Sequence, residues 1–234
     1  MKIDLYNDGI GFVELVDHMG TDLTIVNSAR VSFGKHKNEI DERDKRLIDY
    51  LVKHKHTSTF EHNVVTFRVG VPLFVRSQHM RHRTWAYNEI SRRYTEVDIK
   101  FYEPSKFRTQ HQSNRQASNF DDLVNPLIDQ SGLSGGTSAS WMVRNHNKKS
   151  LKLYNKLIDA GVCREQARGV LPQNLYTEYY GTVNLNNLIK FINLRIHEGA
   201  QWEIQQLAKG MLKIVKDLWP TAVDSYIAAR DDKK

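Results

Sequence analysis

The chain is organised around residues 81 to 94, which read Arg81-His82-Arg83-Thr84-Trp85-Ala86-Tyr87-Asn88-Glu89-Ile90-Ser91-Arg92-Arg93-Tyr94. Its four arginines carry fork-shaped donors that suit phosphate groups. Asn88, Glu89 and Ser91 can hydrogen-bond to the edge of a base or ring, and Trp85 and Tyr87 can stack on a ring face. The stretch therefore predicts a site for an anionic, planar ligand. A solvated basic loop is the alternative interpretation.

The sequence on either side predicts an α+β fold with a central mixed or antiparallel sheet flanked by helices. Alternating residues around Asn7-Asp8-Gly9 predict an edge hairpin, and the apolar run from Val64 to Val71 predicts a sheet strand that ends at Pro72. Two more strands are expected at residues 96–101 and 175–183. Helices are expected at residues 22–30 (capped by Asp22), 42–53, 73–81, 140–160, 186–197 and 201–218. Pro220 is expected to end the last of these helices, and the chain is expected to trail off at Asp231-Asp232-Lys233-Lys234.

Composition indicates one globular domain over residues 1–234, with a sizeable core. Lys and Arg number 34 against 27 Asp and Glu, a formal charge of +7, which favours anionic partners. The sequence has no apolar run long enough to cross a bilayer and no signal-peptide layout, so we expect a cytoplasmic protein with no membrane partner. The single cysteine, Cys163, agrees with a reducing compartment, and we expect it to be inert.

Residues 105–140 are rich in Gln, Asn, Ser and Gly, with few apolar residues to bury. This composition predicts a flexible surface insertion. An inert loop is favoured, and a lid or an additional partner surface remain open alternatives.

Three histidines, His54, His56 and His62, raise the question of a metal site. No acidic or thiolate side chain completes a persuasive ligand set, so no metal is predicted.

The order of the residues in the central stretch identifies a resemblance. Arg81-His82-Arg83, seven further residues and then Ser91 resemble the signature of the flavin-dependent thymidylate synthases, the ThyX family, and the likeness includes Asn88-Glu89 and Arg93-Tyr94. Residues 12–17 and 201–206 extend the resemblance towards both ends of the chain. The insertion at 105–140 is longer than the corresponding stretch of the relatives.

The resemblance implies an activity, cofactors and an assembly. The reaction is the reductive methylation of dUMP to dTMP, with 5,10-methylenetetrahydrofolate as carbon donor and NADPH as reductant through FAD. The resemblance also implies a homotetramer whose active sites are shared between subunits, and no binding of a specific nucleic acid is expected. An arginine against a carbonyl and its adjacent ring nitrogen would stabilise the anionic ring, and this catalytic role falls to Arg195.

Matched positions imply the remaining site residues. Those for dUMP are Gln78, Arg81, Glu89, Ser91, Arg92, Arg93, Arg168 and Arg195. Those for FAD and the folate pocket are Ser32, His56, Ser58, Glu61, Arg81, His82, Arg83, Asn88, Glu89, Asn184 and Lys190. Three positions depart from the family pattern, namely Asn186, Lys190 and Gly199, with His197 close to the last as a substitute for a frequent histidine.

Two readings compete with an active synthase. A basic RNA- or DNA-binding module would use the arginines for phosphate contacts alone. A degenerate relative would bind FAD and no longer make dTMP. For Ser91 we favour a hydrogen bond to phosphate or substrate over a nucleophilic role, because no histidine stands at a fixed partner spacing.

Overall fold

The computed structural model describes residues 1–94, 99–115, 117–129 and 136–231. The strands in these ranges are β1 (Lys2–Asp4), β2 (Phe12–Met19), β3 (Val64–Pro72), β4 (Ala86–Glu89), β5 (Phe107–Gln110), β6 (Ser118–Val124), β7 (Leu127–Asp129), β8 (Thr137–Ser138) and β9 (Tyr176–Asn184). The α-helices are α1 (Asp22–Arg30), α2 (Glu42–Lys53), α3 (Leu73–His79), α4 (Ala139–Asp159), α5 (Arg164–Ala167), α6 (Leu185–Arg195), α7 (Trp202–Leu218) and α8 (Pro220–Asp231). None of the helices described is long and apolar enough to span a membrane.

The central sheet has the order β1-β2-β3-β9-β4, and every pair of neighbours is antiparallel. Its centre is the β3–β9 pair, which stays in register from Val64 opposite Asn184 to Pro72 opposite Tyr176. β1 forms one edge and β4, inside the arginine-rich stretch, forms the other. The predicted α+β fold, the edge hairpin and the strand ending at Pro72 are confirmed.

The core lies between this sheet and the helices of the C-terminal half. Val65, Phe67, Val69 and Val71 alternate along β3 and are fully buried, which is the period expected of a strand with one face on a core. Helices α6, α7 and α8 supply buried residues to the same cluster, among them Phe191, Met211 and Val223. The sheet and these helices thus give the site residues a rigid support.

Helix α8 begins at Pro220, in a stretch for which the sequence predicted no element. Residues Pro220–Asp231 form this helix, because proline is compatible with the first turn of a helix, where its missing N–H costs nothing. Residues 232–234 of the predicted trailing end lie outside the described residues. Asp22 does not cap its own helix. The cap of α1 is Thr21, and the Asp22 carboxylate instead accepts the backbone N–H groups of Thr221 and Ala222, at 2.9 and 3.1 Å, at the start of α8.

Two boundaries near the arginine-rich stretch also differ. Helix α3 ends at His79, two residues before the predicted end, so Arg81 lies outside the helix that carries Gln78. Residues 96–98 of the strand predicted at 96–101 lie outside the described residues, and Phe101 makes a single antiparallel bridge to Leu175. The other predicted helices agree with α1, α2, α4, α6 and α7 to within about two residues, a usual uncertainty at helix ends.

The described part of the predicted insertion contains paired strands. β5 and β6 form one antiparallel hairpin, and β7 pairs with β8 just before α4. The first hairpin, with α4 and α7, encloses a largely apolar cavity of about 780 Å³ whose walls include Phe107, Phe120 and Trp202. Flexibility of this segment remains a prediction.

Candidate active site

A polar cavity of about 560 Å³ lies where β4 ends and the arginine-rich stretch turns away from the sheet. Four predicted nucleotide-binding residues line it: Glu89, Ser91, Arg92 and Arg168. Arg76 of α3 also lines it, and sequence reasoning did not find this residue. Three guanidinium groups against one carboxylate make the cavity electropositive, so it suits an anion.

Glu89 is already engaged within the chain. Arg76 Nε donates to both of its carboxylate oxygens, at 3.0 and 2.9 Å, and Thr177 Oγ1 donates to Oε1 at 2.6 Å. The Glu89 side chain is only 18% exposed. The structure therefore gives Glu89 the task of fixing Arg76 at the cavity wall.

Ser91 begins a tight turn that displays the two arginines after it. The Ser91 carbonyl accepts the N–H of Tyr94 at 3.0 Å, and Ser91 Oγ accepts the N–H of Arg93 at 3.3 Å. The Arg93 guanidinium points to the surface, 3.9 Å from the exposed Glu165 carboxylate, and Arg93 is not part of the cavity wall. Arg168, at the start of a 3-10 turn after α5, also lines the cavity.

A second group of predicted residues surrounds Arg195, the last residue of α6. Arg195 Nε donates to His82 Nε2 at 3.2 Å, and an Nη of Arg195 approaches the Gln78 carbonyl at 3.4 Å. Burial lowers the pKa of Arg195, and burial followed by the charge of Arg195 lowers the pKa of His82. The imidazole of His82 is thus kept neutral beside the guanidinium.

A chain of hydrogen bonds supports this arginine from behind. The Gln78 amide donates to Gln201 Oε1, and Gln201 Nε2 donates to Glu203 Oε2 at 3.0 Å. The buried Glu203 carboxylate also accepts from Arg108 at 2.8 Å and from Tyr102 at 3.1 Å. Sequence reasoning placed Gln201 and Glu203 in a stretch shared with relatives and gave them no role.

Arg195 opens into its own cavity of about 430 Å³, which Asn114, Asn193 and His197 also line. None of the predicted residues of the first cavity appears in the wall of this one. Gln78, His82 and Arg195 are therefore brought together by one chain, and so are Ser91, Arg92 and Arg168. Arg195 lines a different cavity from the one that the second group lines.

Four of the residues predicted to hold the flavin and the folate, namely Ser32, His56, Ser58 and Glu61, lie outside these two groups. Ser32 lies exposed in a 3-10 turn (Val31–Phe33), and Ser58 lies in another (Thr57–Phe60) that begins after His56. Glu61 Oε1 accepts the amide of the buried Asn186 at 2.8 Å, which joins this turn to α6. Asn186, one of the positions that depart from the family pattern, thus makes a hydrogen bond inside the chain.

Two other predicted flavin residues lie on α6. Asn184 is its N-cap, and Asn184 Oδ1 accepts the N–H of Asn187 at 2.9 Å, which gives it a structural role. Lys190 is exposed on the same helix.

The histidines of this region do not lie along a strand. His54 is the C-cap of α2, and Lys55 adopts a left-handed conformation between His54 and His56. Within the described ranges, no three His, Cys, Asp or Glu side chains are grouped as metal ligands would be.

Arg81, Arg83 and Asn88 are exposed, so a ligand can reach all three side chains.

Trp85 is not available for stacking on a ligand. It is buried, 6% exposed, and stacks on Tyr87 with ring planes 5° apart. The sequence could not separate a core tryptophan from a ligand platform, since both are aromatic residues among polar neighbours.

Comparisons with known proteins agree with the resemblance. The model of a family described as "Thymidylate synthase complementing protein" matches residues 14–221. A flavin-dependent thymidylate synthase of Thermus thermophilus is 45% identical over 212 residues, covering 91% of this chain and 74% of that protein. One of Thermotoga neapolitana is 41% identical over 230 residues, covering 97% and 94%. The crystal structure of the UMP/dUMP methylase PolB from Streptomyces cacaoi, bound with 5-Br dUMP, has a TM-score of 0.78 at 32% identity and covers 93% of this chain and 95% of that one.

Proposed function

Because this chain belongs to the flavin-dependent thymidylate synthase family, we propose that it methylates dUMP to dTMP, with 5,10-methylenetetrahydrofolate as carbon donor and NADPH as reductant through FAD. The observation that carries the proposal is the electropositive cavity at the end of β4. Ser91, Arg92 and Arg168 meet there with Arg76, which Glu89 holds in place. A nucleotide 5′-phosphate matches this set of donors in charge and in hydrogen-bonding geometry.

Arg195 is the residue that we propose to activate the pyrimidine. A guanidinium against a ring carbonyl and the adjacent nitrogen stabilises the anionic form of the ring, which makes the ring carbon a better nucleophile. The contacts to His82 and to the Gln78 carbonyl orient this guanidinium before the substrate arrives. Such preorganisation lowers the barrier because the donors need not reorient during the reaction.

FAD, when bound, would carry the reducing equivalents from NADPH. The chain has donors that fit its diphosphate, since Arg81 and Arg83 present exposed guanidinium groups next to α3 and Ser32 presents an exposed hydroxyl. His56, Ser58 and Glu61 are the groups that we propose to face the flavin and folate.

We further propose a homotetramer with shared active sites. In one chain, the residues assigned to phosphate, to the pyrimidine ring and to flavin occupy three separate regions. Assembly of several chains would bring these regions together around one set of ligands. Sedimentation or light scattering of the FAD-loaded protein measures the assembly directly.

The proposed function is tested with purified protein that has been loaded with FAD and freed of the excess. Retention of flavin absorbance, bleaching by NADPH without oxygen, and formation of dTMP once dUMP and methylenetetrahydrofolate are added would support it. The Arg195→Ala variant should retain the flavin and lose dTMP formation. Folded wild-type protein that retains flavin but makes no dTMP would overturn the synthase proposal.

A further inference from the structure

The β5–β6 hairpin reaches the cavity of Arg195. Asn114, in the connection between the two strands, lines that cavity together with Arg195 and His197. The cavity, at about 430 Å³, is within the range of ligand sites and can admit a heteroaromatic ring. The segment expected to be an inert loop therefore contributes to the wall around the residue that we propose to be catalytic.

Local hydrogen bonds fix the backbone of Asn114. His111 Nδ1 accepts the N–H groups of Ser113 and Asn114, at 3.3 and 3.1 Å. The Asn114 carbonyl accepts the N–H of Ala117 at 3.1 Å and the Gln110 amide at 3.2 Å. With its donor and acceptor both engaged, the Asn114 main chain is held as part of a built turn.

The hairpin is also tied to the support of Arg195. Arg108, on β5, donates to Ser118 Oγ at 2.9 Å across the hairpin and to Glu203 at 2.8 Å. Glu203 is bonded to Gln201, which accepts from Gln78, whose carbonyl contacts Arg195. The hairpin and the catalytic guanidinium therefore share one continuous network, whose carboxylate is 4% exposed.

Gly199 lies beside both His197 and Asn114 in the wall of this cavity. A Cβ built at Gly199 would lie 3.2 Å from His197 Nδ1, which is a tight contact, and 3.9 Å from Asn114 Nδ2, which is an ordinary van der Waals distance. The Gly199 N–H donates to the same His197 nitrogen at 3.0 Å. The absence of a side chain at this position thus lets His197 lie close to the Gly199 backbone, next to the Asn114 amide.

We propose that Asn114 binds the imide edge of the heteroaromatic ring in this cavity and sets its orientation against Arg195. This inference rests on the proposed function. In the neutral ring, an imide edge alternates C=O, N–H and C=O. Arg195 can only donate, so in this form it contacts a carbonyl, and the ring N–H needs an acceptor from another residue. An asparagine amide supplies an acceptor and a donor side by side, which matches an N–H and the carbonyl next to it. Uracil and the flavin ring both have this edge.

The test compares Asn114→Ala and Asn114→Asp with Gln112→Ala, an exposed control in the same turn that lines neither this cavity nor its neighbour. One arm measures dUMP affinity of the FAD-loaded protein by calorimetry, and the other measures FAD affinity without nucleotide. Loss of a pair of neutral hydrogen bonds predicts that Asn114→Ala weakens one of the two about tenfold, and Gln112→Ala neither. The arm that changes identifies the ring.

A change of specificity separates ligand contact from a structural role. A carboxylate accepts from the ring N–H but repels the carbonyl beside it, whereas it can accept from the amino group of cytosine. If the ring is uracil, Asn114→Asp should lower the ratio of dUMP to dCMP affinity, which loosening of the hairpin would not do. If the ring is flavin, Asn114→Asp should weaken FAD binding at least as much as Asn114→Ala does.

Three outcomes would overturn the proposal. The first is unchanged dUMP and FAD affinity in Asn114→Ala, and the second is an equal loss of affinity in Gln112→Ala. The third is a loss of affinity in a further variant, Asn193→Ala, with none in Asn114→Ala, which would assign the contact to the other amide of this cavity. Failure of the wild type to make dTMP would refute the proposed function by itself, and the FAD arm would still decide the role of Asn114.

Discussion

Arg195 Nε donates a hydrogen bond to Nε2 of His82 over 3.2 Å, although both groups are bases. An arginine can only donate, so His82 Nε2 must carry a lone pair and its proton must sit on Nδ1. Burial, and then the charge of Arg195, lower the pKa of His82 and stabilise this neutral form. The orientation of the proposed catalytic guanidinium therefore depends on the protonation state of its neighbour.

Acidification should break this contact and destabilise the protein. The folded pKa of His82 lies below its ordinary value near 6.5, so the unfolded chain binds the proton more readily. Stability should be constant above that value and decline as the pH falls through it towards the lowered folded pKa. Buried His79, whose pKa is also lowered, acts in the same direction. Denaturant unfolding at pH values from about 5 to about 8, the range in which histidine titrates, measures the slope of stability against pH.

Site-resolved NMR of the His82 ring separates its titration from that of His79. The Arg195→Gln variant should raise the pKa of His82, because it removes a nearby positive charge. An unchanged His82 titration in that variant would show that the guanidinium does not act on this ring.

Replacement of Arg195 by Ala should lower the rate of dTMP formation about a hundred- to a thousandfold, a barrier increase of about 3 kcal/mol. Arg195→Lys should recover little of this loss, because one ammonium cannot contact a carbonyl and its neighbouring nitrogen with a planar fork. Single-turnover measurements with preloaded FAD isolate the chemical steps. A loss smaller than about tenfold would remove Arg195 from the central catalytic role.

Replacement of Ser91 by Ala should weaken dUMP binding by about 1 kcal/mol and leave measurable turnover, since the hydroxyl contributes one neutral hydrogen bond. In the unliganded chain Ser91 Oγ accepts only the N–H of Arg93, at 3.3 Å, among the contacts described. Titration of dUMP and an assay of dTMP measure the two effects. Complete loss of turnover with normal dUMP binding would indicate a nucleophile. The exposed Cys163 is the other side chain that could act as a nucleophile, and we expect Cys163→Ala to remain active because this thiol is predicted to be inert.

Arg168 and Arg93 should respond differently to replacement by Lys. Arg168 lines the polar cavity, so the loss of its fork should weaken dUMP binding about tenfold even though the charge is kept. Arg93 lies at the surface near Glu165 and does not line the polar cavity, so Arg93→Lys should weaken dUMP binding less than Arg168→Lys does. An effect of Arg93→Lys as large as that of Arg168→Lys would place Arg93 on the phosphate as well, as the family resemblance implies. Calorimetry with dUMP compares the two variants.

Four strands of the central sheet, β1, β2, β3 and β9, could be predicted because the information is local, whereas β4 in the arginine-rich stretch was not predicted. Val64 to Val71 has the β-branched run of a buried strand, and the charges of Glu42 to Lys53 leave one apolar helical face. The identity of the site residues came from a resemblance in a short signature. Periodicity alone could not have identified them, because it does not distinguish a ligand contact from an exposed polar residue.

Partners that are distant in sequence could not be predicted. Arg108 pairs with Glu203 across 95 positions, and Arg76 with Glu89 across the α3–β4 connection, and neither pair leaves a periodic signal. Helix α8 was missed because Pro220 has two meanings, as a stop for α7 and as a favourable first residue for a new helix. Only the packing of α8 against the rest of the core decides between them.

Replacement of Asp22 by Ala should lower the free energy of unfolding by about 1 to 2 kcal/mol, because two N–H groups at the start of α8 would lose their acceptor. Asp22 is 8% exposed, so water cannot readily replace the carboxylate. Asp224→Ala is the matched control on α8, since its ion pair with Lys216 is more than half exposed on both sides and such pairs contribute about 0 to 1 kcal/mol. Urea unfolding of both variants makes the comparison. Equal losses would mean that the Asp22 contact adds nothing beyond a surface charge and that α8 is held by its buried apolar residues alone.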